Sequence, residues 1–129
     1  MNLGQKFKRF IMSNHTETSD EHPVSELKSH YYKSTNAQAL QAVEATLSQN
    51  DSYQVTSVSA ERGEISANIR MQKKAFLVAT VISIRPFETA VDFNVTTETA
   101  LPTDFGHSQK VVLSLYDELD KQLPRIDRS

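Results

Sequence analysis

The chain has 129 residues, with 14 Lys and Arg against 16 Asp and Glu for a formal net charge of −2, and no cysteine. That length suits one domain with a tail rather than two domains. The lack of cysteine excludes disulfides, thiolate metal sites and a cysteine nucleophile, and it agrees with a reducing, cytoplasmic setting. Lys and Arg are scattered along the chain, so no basic field of the kind that binds nucleic acid is expected.

Residues 1–12, MNLGQKFKRFIM, place Leu3, Phe7, Phe10 and Ile11 at helical spacing among Lys6, Lys8 and Arg9. Such a basic amphipathic segment suits a membrane surface, a partner, or docking on its own domain. It lacks the apolar stretch of about seven or more residues that a secretion signal carries. No run in the chain approaches the ~20 apolar residues that span a bilayer. A soluble, cytoplasmic protein is therefore expected.

Residues 13–26, SNHTETSDEHPVSE, are almost devoid of apolar side chains and read as a polar linker. His15, His22 and His30 follow one another at spacings of seven and eight residues, which match no metal-ligand motif. These histidines are expected to be solvated, and no metal or cofactor is expected.

The domain is expected over residues 27–124, followed by a tail at 125–129. Leu27 to Lys33 reads as a first strand whose adjacent Tyr31 and Tyr32 put one ring on each face. Thr35 and Gln38 form a capping box. It opens a helix with Leu40, Val43 and Leu47 on one side, ended by Gln49-Asn50-Asp51-Ser52.

Four strand-like runs follow. Tyr53 to Ala60 leads into the turn Glu61-Arg62-Gly63-Glu64, where Gly63 supplies a positive φ. Ile65, Ala67, Ile69 and Met71 alternate with polar residues. Ala75 to Ile84 is apolar on both faces and should be a central strand. Arg85-Pro86-Phe87-Glu88 is a turn with Pro86 at its second position, after which Val91, Phe93 and Val95 point inward. A last helix from Asp104 or Ser108 to about Leu123 carries Val112, Leu115, Tyr116, Leu119 and Leu123 on one face, and Pro124 stops it.

The expected fold is thus α+β, an antiparallel meander in the order β-α-β-β-β-β-α with both helices on one face. Alternation assigns Arg70, Leu77, Ala79, Val81, Asp92, Asn94 and Thr96 to the open face, along with Gln54, Thr56, Val58, Ser66 and Asn68. An apolar strip flanked by polar strands suits a small ligand, a protein or a second copy of the chain. Phe93 falls on the covered face, which removes an aromatic that an RNA-binding sheet would use.

The stretch Thr97 to Ser108, TETALPTDFGHS, ahead of a helix resembles a bacterial family catalogued as domain of unknown function 1499. Its members share this order of elements and a Ser-Asp-x-Gly-x-Asn turn before the last helix. Asp104 and Gly106 match that turn, while Thr103 and Ser108 stand for its Ser and Asn. The arginines of the family's pattern are replaced here by Ala100, Gln109 and Val111, so no anion-binding role is carried over. The resemblance covers residues 27–123 and implies a fold but no activity.

Three functions compete on these features. The leading one is a non-enzymatic domain that binds a protein or small ligand through the open face. The second is an enzyme in which Asp104 and His107 form an acid–base pair near Arg85. Against it, Asp104 or Ser108 as a helix cap explains the same residues. The third is a membrane-surface protein tethered by residues 1–12.

Overall fold

A computed structural model describes residues 14–101 and 103–127; residues 1–12, read above as an amphipathic segment, lie outside them. The elements are β1 (His15–Glu17), β2 (His30–Tyr32), α1 (Asn36–Ser48), β3 (Tyr53–Ser59), β4 (Glu64–Arg70), β5 (Lys74–Arg85), β6 (Glu88–Thr97), α2 (His107–Gln122) and β7 (Arg125–Ile126). Among the described residues they form an α+β fold with one antiparallel sheet, in the order β3-β4-β5-β6-β2-β7, with β1 also paired to β6. β1 and β2 share one edge of β6: β1 lies against Asn94 to Thr96, and β2 against Thr89 to Val91.

Each helix starts and docks for local reasons. The Thr35 side chain accepts from the Gln38 N–H at 3.1 Å while the Gln38 side chain accepts from the Thr35 N–H at 3.0 Å. Two donors at the start of α1 are thereby satisfied. Ala39, Leu40, Val43 and Leu47 of α1 are buried, as are Val111, Val112, Leu115, Tyr116 and Leu119 of α2. Both apolar stripes pack on the same face of the sheet, against Ile65, Ala67, Ile69, Val91, Phe93 and Val95. After Gly63, a hairpin returns the chain with φ +67 at that glycine, where a Cβ would meet the Val81 carbonyl oxygen at 2.2 Å. Only glycine fits so close an approach.

Three expectations about the strands and termini are corrected. The polar stretch at residues 13–26 is not a linker in its described part: β1 pairs with β6, and Thr16, Thr18, His22 and Val24 are buried. Its hydroxyls substitute for apolar contacts by bonding inside the fold. Thr16 meets Ser108 Oγ at 2.8 Å, and Thr18 accepts from the Phe93 N–H at 2.9 Å. Nor do residues 125–129 begin as a free tail, because Arg125–Ile126 pairs with Tyr31–Tyr32.

The third correction concerns Leu77, Ala79 and Val81, which face the helices rather than the open side. They are 0%, 0% and 2% exposed. A strand apolar on both faces carries no internal sign of which face turns inward; only its register decides. An unbulged turn at Arg85–Glu88 would set Val91 opposite Ile82. Instead a bulge between Ser83 and Arg85 moves the pairing by one residue, to Val81 opposite Val91. A one-residue slip exchanges the two faces of a strand completely. The same effect acts on β3, where a bulge between Val55 and Ser57 puts Val58 opposite Ile65 instead of on the open face.

Candidate functional site

With the register established, the open face of β5 carries Phe76, Val78, Thr80 and Ile82. Phe76 and Ile82 are 44% and 49% exposed, and Ile84 in the bulge is similarly uncovered. On the β4 side the strip is flanked by Asn68, Ser66 and Glu64, and on the β6 side by Thr96, Asn94 and Asp92. The structure therefore places Arg70, Asp92, Asn94 and Thr96 on the open face, around an apolar centre made of different residues from those expected.

Two of the charges on this face, Arg70 and Asp92, are held by neighbouring side chains. Arg70 donates from Nη2 to Gln54 Oε1 at 2.6 Å, which turns its guanidinium outward over β3. Asp92 Oδ1 accepts from Thr18 Oγ1 at 2.7 Å and from Ser29 Oγ at 2.5 Å. Burial raises the Asp92 carboxyl above its ordinary value; the two hydroxyls oppose that rise, and Asp20 and Glu17 add to it. A shallow depression beside Phe76 is lined by Asn68, Arg70, Lys74 and Glu98.

Among the described residues no hydrogen bond joins the Asp104 and His107 side chains. Asp104 is 2% exposed. Its Oδ1 accepts from the Gly106 N–H at 3.0 Å, and its Oδ2 from Thr97 Oγ1 at 2.8 Å and the Ser108 N–H at 3.0 Å. Burial raises this carboxyl, but bonds from Ser108, Thr97 and Gly106 outweigh it and hold the group below the usual carboxylate range. His107 Nε2 is buried and has no hydrogen-bond partner among the described residues. Arg85 pairs with Glu88 at 2.8 Å at the far end of β6. The ten residues of β6 separate it from Asp104 by roughly 30 Å at ~3.3 Å per residue. The Thr103–Ser108 turn is thus a helix start, with Gly106 at φ +85 and the Asp104 side chain supplying the cap.

Sequence reasoning also missed a buried polar cluster. His30, expected in solvent, is buried, with its ring stacked on Tyr116 at 3.5 Å between centroids. Its Nδ1 lies 3.0 Å from Asp120 Oδ1, which also accepts from the Tyr32 hydroxyl at 2.6 Å. Asp120 Oδ2 receives Arg125 Nη1 at 3.4 Å. Burial pushes the Tyr32 and Tyr116 hydroxyls upward. The missed signal was the alternation His30-Tyr31-Tyr32, which puts His30 on the same face as Tyr32. His22 is buried too, and its Nδ1 accepts from the Val24 N–H at 3.0 Å. Among the described residues no three His, Asp or Glu side chains converge to hold a metal ion.

No protein-family model, no curated protein and no solved structure matches this chain. Among the described residues, no helix is long and apolar enough to cross a membrane.

Proposed function

We propose that this is a non-enzymatic interaction domain whose working surface is the open face of the sheet. The observation that carries this reading is the strip Phe76-Val78-Ile82 on the central strand, facing away from both helices. Large apolar side chains grouped on one surface gain by being covered, at roughly 25 cal/mol per Å² removed from water. The long side chain of Arg70 does not fold over the strip, since its guanidinium is held by Gln54. The carboxylate of Asp104, in the most distinctive peptide of the chain, is occupied by its capping bonds. That leaves the sheet face as the larger unassigned surface.

A photo-crosslinking amino acid placed at Ile82 in growing cells tests the proposal. Adducts are expected from Ile82 and not from the same group at Gln41, an exposed position on α1. Equal labelling from both positions, or none from Ile82, would contradict the assignment of the face.

A further inference from the structure

We infer that the partner seated on the open face is a second copy of this chain, packed sheet against sheet; this rests on the proposal that the face is an interface. The edges of the sheet are poor places for self-association. β3 is bulged between Val55 and Ser57, and β7 has only two residues; both devices discourage edge-to-edge pairing. The face has the opposite character. Strands β3 to β6 have 7, 7, 12 and 10 residues, and at ~3.3 Å per residue and ~4.8 Å between strands the face is on the order of 600 Å². That is the lower end of the roughly 600–1,000 Å² that one partner contributes to a specific interface, in keeping with a dimer that dissociates on dilution.

Register selects the arrangement. Consider a two-fold axis lying across the strands, level with Ala79 and therefore midway between Val78 and Thr80. It sets Phe76 of each copy over Ile82 of the other, and Val78 over Thr80. On the flanks, the row order Ser66–Val78–Asn94 and Glu64–Thr80–Asp92 sets Glu64 against Ser66 and Asp92 against Asn94. Each carboxylate then meets a hydroxyl or an amide. A two-fold axis along β5 would instead stack Lys74 on Lys74 and bring Glu64 over Asp92, so like charges oppose it. The first arrangement is isologous and closes on itself, and the twist of the two sheets lets them pack within about 30° of alignment.

Sedimentation velocity of the full chain across a dilution series tests this. A dimer that dissociates on dilution is expected, with Ile82→Lys and Val78→Lys each shifting it to monomer by at least tenfold in dissociation constant. Gln41→Lys on the helical side should leave it unchanged. Circular dichroism checks that each variant is folded, and Phe76→Lys replaces either one that is not. A monomer at every concentration, or a dimer indifferent to these charges, would overturn the inference. The Ile82 cross-link separates the two proposals. An adduct of twice the chain mass supports both, an adduct of another mass keeps the interface but removes the second copy, and the absence of any adduct removes both.

Discussion

His30 sits beneath the helix layer, its ring against Tyr116 and its Nδ1 bonded to Asp120. Burial holds its pKa below 6.5, and the Asp120 bond offsets that only in part. Below pH 6.5 the unfolded chain binds a proton that the folded His30 resists. The His30 contribution is therefore complete above pH 6.5 and is lost as pH falls from there toward the lower folded value. Asp92 acts with the opposite sign, because its raised carboxyl releases its proton less readily when folded. Urea unfolding at pH 7.5 and 5.5 should show a loss on acidification that His30→Gln reduces. A slope unchanged by His30→Gln would place the titration elsewhere.

Helix α2 depends on Asp104, a residue two positions before its N-cap, Gly106. The Asp104 carboxylate accepts from Gly106, Ser108 and Thr97, and Lys73 Nζ donates to the Asp104 backbone carbonyl at 3.0 Å. Asp104→Ala should cost about 2 kcal/mol by chemical denaturation, the upper range for a lost cap with a buried hydroxyl left unpaired. Because the folded Asp104 pKa is depressed, this contribution is present above pH 3.8 and is lost as pH falls through the folded value. A wild-type unfolding midpoint for Asp104→Ala would reopen a chemical role for this carboxyl. The helices were legible in the sequence because caps and apolar periodicity are local: Thr35 with Gln38, Leu40 with Val43 and Leu47. β1 was not, since its contacts run through Thr16 and Thr18, whose hydroxyls look the same in a linker and in a buried network. β7 was too short to have a pattern.

Across the whole molecule, the meander, its order and the single helical layer followed from composition and alternation, whereas the identity of the open face did not. Ala75 to Ile84 is apolar at every parity, so its outward side chains were fixed by the bulge at Ser83/Arg85, which no local signal marks. The consequence is a strand with two different apolar faces: Leu77, Ala79 and Val81 serve the core, and Phe76, Val78 and Ile82 face away from it. Charge introduced on the two faces separates these roles. The decisive measurement is the urea unfolding midpoint of Leu77→Lys and of Val78→Lys, taken at chain concentrations low enough to keep the protein monomeric. Leu77→Lys should lose at least ~3 kcal/mol, as an unpaired buried charge does. Val78→Lys should stay within about 1 kcal/mol of the parent. A severe loss from Val78→Lys with tolerance of Leu77→Lys would contradict the account.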